Sequence, residues 1–378
     1  MVASDALSPI QALRWEEGPE GPALVLLDQT QLPNIEAELV CTSIPTLVEA
    51  VRRLAVRGAP LLGLVGAYGV ALAAARGFEV ADAAERLANA RPTAVNLSLG
   101  VRRALQAYEA ALKEYGERHA DEDEPLADDS RAFQVAAAAA LAAARKLHSE
   151  DADASRRMGE LGSGLLDELL PGAGGLRLLT HCNTGSLVSG GEGTAFAVAL
   201  ALHRRGRLAR LWVDETRPLL QGSRLTAYEA SRAGMPYTIL ADNAAGSLFA
   251  AGEVDAVLIG ADRIAADGST ANKVGSYPLA VLARHHKVPF LVVAPESTVD
   301  LSTEDAESIV VEQRAAQELT EFAGHAVAPA GAAAYNPAFD IVPPSLVSAF
   351  VLESGVQVPE SSEEWRISLP SVAQITER

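Results

Sequence analysis

The sequence predicts an α/β protein with a doubly wound parallel sheet behind a smaller, mainly helical N-terminal domain. Three observations carry this. From about residue 155, short apolar runs alternate with helix-length segments. The runs have no polar face, as strands buried on both sides require. The residues before them carry helical spacing instead, and 378 residues exceed what one compact core usually holds. The change of rhythm sets domains at 1–150 and 151–378.

Residues 23–28, ALVLLD, read as a strand, and the chain turns near Pro33. Apolar residues at helical spacing over 45–54 lead into Arg57-Gly58-Ala59-Pro60. An uncharged stretch, 58–75, follows and approaches the length of a membrane span. Its glycines at 63, 66 and 69 and Pro60 in a first helical turn point instead to a tightly packed internal helix of a soluble chain. Arg91-Pro92-Thr93-Ala94-Val95-Asn96 is a second Pro-marked helix start with an arginine in front. Arginines before helix N-termini suit a phosphate clamp, and ordinary capped helix starts are the alternative. A helix runs from Leu97 towards Tyr115, then an acidic loop over 116–130, then an alanine-rich helix over 133–147.

The strands of the second half are LRLLTHC at 176, LARLWVD at 208, PYTILADN at 236, VDAVLIGAD at 254 and PFLVVAPE at 289. Helices are expected over 194–205, 224–233, 244–251 and 277–286, and a polar tail over the last twenty residues. Strand, helix, strand repeated in this way argues for the parallel sheet. The carboxyl ends of the strands supply His181-Cys182-Asn183, Asp214-Glu215-Thr216-Arg217, Asp242-Asn243, Asp262-Arg263 and Glu296-Ser297-Thr298. A single Asp or Asn there is a common helix cap, whereas five polar ends on one edge describe a cleft.

Within that edge, 254–278 is the organising stretch. Asp262 has an oily strand behind it and the cleft in front, a setting that raises a carboxyl pKa. Cys182 stands between a strand and the Gly-rich run 185–194. Exposed N–H groups there would lower its pKa, or the thiol is a small core hydrophobe; both readings stand. Cys41 has no such context and reads as structural. The Gly-rich run matches neither a Walker A nor a dinucleotide fingerprint. His203, His285 and His286 sit on helical segments, with no H-E-x-x-H or C-x-x-C, so no metal is expected. No nucleophile elbow is present.

A net charge of −18 removes any bulk attraction to nucleic acid or an anionic membrane, so an anionic substrate needs a local basic cluster. Two cysteines make no disulfide framework, and residues 1–18 lack the form of a signal peptide, so a cytoplasmic location is expected.

RGAP at 57, RPTAVN at 91, LTHCNTGSL at 179, DETRPLLQGSRLTAYE at 214, GADRIAADGSTANK at 260 and YNPAFDIVPPSLVSAFVLESGV at 335 closely resemble the methylthioribose-1-phosphate isomerase family. That family lies in the superfamily of the initiation factor 2B regulatory subunits. The likeness extends from residue 23 to about 356. It implies a Rossmann-like C-terminal domain, a small helical N-terminal domain, a homodimer, and no metal or redox cofactor. Carried over, it makes Asp262 the catalytic acid and Cys182 its partner. Substrate contacts fall to Arg57, Gly58, Ala59, Arg91, Gln221, Asn272 and Lys273. The text after HCN and the Leu61-Leu62 after RGAP depart from the family's usual residues, which bears on the fit of the substrate's tail. The implied reaction converts 5-methylthioribose 1-phosphate to 5-methylthioribulose 1-phosphate in methionine salvage. An ordinary aspartate is ionised at neutral pH, so the acid role asks burial to raise Asp262 by about three pH units, roughly 4 kcal/mol. The alternatives are an isomerase of ribose 1,5-bisphosphate or 5-deoxyribose 1-phosphate, and a non-catalytic regulatory protein like the initiation factor subunits.

Overall fold

A computed structural model describes residues 10–91, 94–119, 129–172, 174–360 and 366–369. The chain divides into two compact units, one of Pro9–Asp153 with Ser186–Gly191, the other of Ala154–Gly185 with Glu192–Arg378.

The N-terminal unit opens with an antiparallel sheet of β1 (Leu13–Gly18), β2 (Gly21–Leu27) and β3 (Glu38–Cys41). Only β2 has the continuous apolar run that betrays a strand, so this sheet adds to the expected helices. Helices α1 (Ile44–Arg52), α2 (Ala59–Ala75), α3 (Val80–Ala88), α4 (Val95–Arg118) and α5 (Asp129–Leu169) follow. The Ser43 hydroxyl accepts the Thr46 N–H to cap α1. Most of the expected acidic loop, 120–128, lies outside the described residues, as do Pro92 and Thr93; residues 116–118 belong to α4.

Nearly every residue of α2 is buried, which accounts for its uncharged sequence. Its glycines let α4 approach backbone to backbone. A Cβ on Gly66 would stand 2.6 Å from the Leu97 carbonyl oxygen, and one on Gly100 would overlap the Gly63 carbonyl. Among the described residues no helix is long and apolar enough to cross a membrane. Gly100→Ala is expected to cost about 2–3 kcal/mol through this overlap, read as a lower urea midpoint.

In the C-terminal unit the elements are β4 (Leu176–Thr180), α6 (Ala195–Arg204), β5 (Leu208–Asp214), α7 (Ala227–Arg232), β6 (Tyr237–Leu240), α8 (Ala245–Ala250) and β7 (Ala256–Ile259). Then come β8 (Arg263–Ala265), β9 (Thr270–Lys273), α9 (Ser276–His286), β10 (Phe290–Val293) and β11 (Val299–Asp300). The last are α10 (Gln317–Thr320), β12 (Glu321–Phe322), β13 (His325–Ala326), β14 (Phe339–Val342), β15 (Ala349–Leu352) and β16 (Gly355–Gln357).

Among the described residues the main sheet runs β16-β15-β10-β7-β4-β5-β6, parallel throughout except for the β15–β16 pair. All five expected strands are in it. Alternate side chains feed two cores. Leu178, Leu258 and Leu291 join Met158 and Leu166 of α5 and Val198 of α6. Leu179, Val257 and Val292 join Phe249 of α8 and Leu279 of α9. The sheet is therefore oily on both faces, and its strands need no polar alternation. Strand order runs outward from β4 to β6, returns to β7, and continues to β15. That reversal lies between β4 and β7, where open parallel sheets bind ligands at their carboxyl edge.

A smaller sheet, β11-β8-β9-β14, carries the chain beyond β7. The segment between Arg263 and Asn272 is the hairpin of β8 and β9. Most of the expected polar tail, 361–365 and 370–378, lies outside the described residues; within 366–369, Ile367 is buried and its N–H donates to the Ala266 carbonyl at 3.0 Å.

Candidate active site

Because the strands are parallel, the five polar ends lie along one edge of the sheet. β4 and β7 are paired neighbours, Thr180 opposite Leu258. His181-Cys182 and Gly260-Ala261-Asp262 therefore leave adjacent strands. They stay close beyond the sheet, since a Cβ on Gly260 would stand 3.0 Å from Thr184 Cγ2. Asp262 is half-buried, and its N–H donates to the Ala271 carbonyl at 2.9 Å. This holds the residue against the β8–β9 hairpin. The deep burial anticipated for Asp262 is thus only partial.

Cys182 is 8% exposed and adopts φ of 63°, a left-handed conformation uncommon outside glycine. Asn183 is buried, and its amide donates to Glu229 Oε1 at 2.7 Å. The Gly-rich run folds back over this segment: Thr194 N–H donates to the Thr184 carbonyl at 2.8 Å, and Phe196 N–H to Thr184 Oγ1 at 3.1 Å. Gly193, at φ of 93°, passes so near that a Cβ would overlap the Thr184 carbonyl oxygen.

His181 is wholly enclosed. Its Nδ1 lies 2.9 Å from Asp214 Oδ2 and its Nε2 2.8 Å from the Val274 carbonyl. A carbonyl only accepts, so Nε2 carries a proton. Burial works against the imidazolium, yet the Asp214 carboxylate beside Nδ1 outweighs it and raises the affinity of His181 for a second proton. The contact with Val274 ties the end of β4 to the turn after Lys273, and Gly275 permits it, since a Cβ there would come 2.6 Å from His181 Cε1.

His181, Asp214 and Asp242 present ligand atoms within 4.8 Å of one another, the one such group among the described residues. Hydrogen bonds already use most of these side chains' polar atoms, although Asp214 Oδ1 is buried without one. Nδ1 faces Asp214, and the Asp242 oxygens accept the N–H groups of Thr216 at 2.6 Å and Arg217 at 2.7 Å. The donor set is better suited to fixing backbone than to holding an ion.

Asn272 and Lys273 end β9, and both are buried, the lysine at 5% exposure. Asn272 Nδ2 donates to Ser276 Oγ, which donates on to the Lys273 carbonyl, each at 2.8 Å. Asp340 of β14 caps α9 through the N–H groups of Gly275 and Tyr277. Gln221 is 4% exposed, and its Oε1 is buried without a hydrogen-bond partner, an acceptor suited to a ligand hydroxyl.

Arg57, Gly58, Ala59 and Arg91 belong to the N-terminal unit. Arg57 and Arg91 are half-buried, and Gly58 precedes α2 with φ of 93°. A Cβ on Gly58 would overlap Val188, in the short 3-10 turn Ser186–Val188. The same excursion is held by Gln29 Nε2 donating to the Leu187 carbonyl at 2.6 Å and by Gly190 N–H donating to Asp151 Oδ2 at 2.6 Å.

Burial pushes the Asp151 carboxyl up to about 6, the Gly190 N–H opposing it. A raised folded-state pKa means stability that is present below about pH 4 and lost as pH rises through about 6. At pH 8 Asp151→Asn is expected to exceed the wild type by at most about 3 kcal/mol, the residue being only half-buried, and to match it near pH 4. Urea titrations at the two pH values check this.

Cys41, at the end of β3, is enclosed in the N-terminal core, where burial pushes its thiol to about 11; this fits a structural role. A cavity of about 630 Å³ opens at the amino edge of the main sheet, lined by Arg284, Lys287, Val288, Pro289 and Val347 among others, and includes none of the site residues.

Thr226 and Glu229 carry no signal in the sequence, since they lie within what reads as a plain helix over 224–233. His181, Asp214 and Asp242 are legible there as polar strand ends, but their mutual bonds are not.

A parallel α/β sheet whose adjacent strands lead at their carboxyl ends into a thiol and a carboxyl group, in a unit that also buries Gln221, Asn272 and Lys273, belongs to a class of folds that bind small molecules at that edge. Residues 55–359 match the Initiation factor 2 subunit family. A methylthioribose-1-phosphate isomerase of Anaeromyxobacter sp. is 44% identical, over 92% of this chain and 94% of that protein. One of Klebsiella pneumoniae is 47% identical, over 89% and 92%. Among solved structures, 5-methylthioribose 1-phosphate isomerase of Pyrococcus horikoshii OT3 superposes with TM-score 0.77 at 35% identity, covering 93% of each chain. A protein of A. fulgidus described as translation initiation factor eIF-2B, subunit delta, superposes with TM-score 0.74 at 38% identity, over 93% and 96%. The chain belongs to the initiation factor 2 subunit family, on the branch of the methylthioribose-1-phosphate isomerases.

Proposed function

We propose that this chain isomerises 5-methylthioribose 1-phosphate to 5-methylthioribulose 1-phosphate in methionine salvage. The single observation that carries the chemical reading is the departure of Cys182 and Asp262 from adjacent strands at the point where strand order reverses. The curated relatives support the choice of substrate.

The phosphate on C1 blocks the anomeric oxygen, so the ring cannot open by the ordinary aldose route. Asp262 would donate a proton to the ring oxygen as the C1–O bond breaks. Hydrogen then passes from C2 to C1, and the C2 hydroxyl gives up its proton as the ketone forms, which restores the proton that the Asp262 carboxyl gave to the ring oxygen. In one route the Cys182 thiolate removes the C2 proton and returns it to C1; in the other a hydride moves directly and the sulfur shapes the field around it. Arg57, Arg91 and Lys273 would hold the phosphate, with the N–H groups of Gly58 and Ala59. Gln221 and Asn272 would bond sugar hydroxyls. In this reading residues 1–150 form a domain that supplies phosphate contacts, and 151–378 a Rossmann-like catalytic domain. The protein works as a cytoplasmic homodimer.

The A. fulgidus relative favours a second reading, a regulatory subunit without turnover. A coupled assay compares methylthioribose 1-phosphate with ribose 1,5-bisphosphate and 5-deoxyribose 1-phosphate. Preference for the first is expected. Preference for either of the others would move the substrate, and binding without turnover would favour the regulatory reading.

A further inference from the structure

The motif from Asp214 to Glu229 does more than contribute Gln221. The Cys182 N–H donates to Thr216 Oγ1 at 2.9 Å, and the Cys182 carbonyl accepts from Thr226 Oγ1 at 2.6 Å. Two hydroxyls thus grip both backbone polar groups of one residue. Both threonines are wholly buried.

Each hydroxyl is itself aimed. Thr216 also has φ of 63°, an outlying conformation for a β-branched residue. It is held there by Asp242, which accepts its N–H at 2.6 Å, while its own Oγ1 donates to the Asp214 carbonyl at 3.0 Å. Thr226 closes a π-helical turn, Gly222–Thr226, whose extra residue shifts the following side chains around the helix. That turn lies hard against β5, since a Cβ on Gly222 would overlap the Asp214 carbonyl oxygen. Asn183 Nδ2 completes the contact, 3.3 Å from Thr226 Oγ1.

The geometry points to Thr216 and Thr226 as positioning residues for Cys182, a two-hydroxyl clamp that keeps its backbone left-handed and so sets where the thiol stands. This rests on the reading of Cys182 as a reacting group. The clamp accounts for the persistence of a conformation unfavourable to cysteine at this position: in it the N–H and the carbonyl each meet a buried hydroxyl.

The test replaces each threonine by valine, which keeps shape and removes the hydroxyl, and by serine, which restores it. Steady-state kinetics with methylthioribose 1-phosphate, the melting transition, and the rate of Cys182 alkylation by iodoacetamide are measured on each, beside Cys182→Ala. Folded T216V and T226V are expected to lose about tenfold to a hundredfold in kcat with KM within about threefold, as a slightly misplaced group does. Alkylation rates should shift by about fivefold or more, and T216S and T226S should recover to within about threefold of the wild type. If Cys182→Ala is inactive while both valine variants keep wild-type kcat and alkylation, the clamp alone is overturned. Turnover retained in Cys182→Ala overturns the thiol's role, and the clamp as a positioning device with it. Should one valine variant fail to fold, the other decides.

Discussion

Asp262→Asn is expected to lower turnover about a thousandfold or more while leaving substrate affinity within about tenfold, because the amide keeps size and polarity but has no proton to give. The placement of Asp262 makes the expectation specific. Its backbone is pinned to Ala271 in the β8–β9 hairpin, so the substitution leaves the main chain where it was. Single-turnover kinetics and equilibrium binding of methylthioribose 1-phosphate separate the two effects. Activity close to the wild type would remove Asp262 from the chemistry, and loss of binding in parallel would make it a substrate anchor instead.

The second large effect belongs to Gly193. Alanine there has to adopt φ of 93° and would overlap the Thr184 carbonyl, two residues from Cys182. A strained backbone costs about 1–3 kcal/mol and overpacking about 1–3 more, so Gly193→Ala should lose about 4 kcal/mol. The urea midpoint reports it. An unchanged midpoint would mean that the loop moves aside freely, and that the return of the Gly-rich run over HCN is not a fixed part of the site.

The strands of the main sheet were legible because burial on both faces leaves an apolar run with no polar break, as in AVLI at 256 and FLVV at 290. β1 and β3 were not, since LRWEEG and ELVC mix charge with apolar residues and resemble loops. The extent of α5 was hidden by the charged run after His148, which continues a helix already begun rather than ending it. The polar strand ends could be read one by one, because their position follows from the strands. Their bonds to one another could not. The contacts of Cys182 with Thr216 and Thr226 join residues 34 and 44 positions away, and one passes through a π turn for which composition has no signal. The substrate contacts came through the family likeness, and the buried, unpartnered oxygen of Gln221 is the one structural mark that singles out any of them independently.

The path of the main chain between the two units has a consequence for how they can be separated. It passes from one to the other inside α5 at Asp153, leaves again after Gly185, and returns at Glu192. No single cut therefore liberates either half, and neither can be synthesised as one uninterrupted stretch. The six-residue detour starts only four positions after Cys182, so the thiol's own peptide lies next to the point where the chain crosses over.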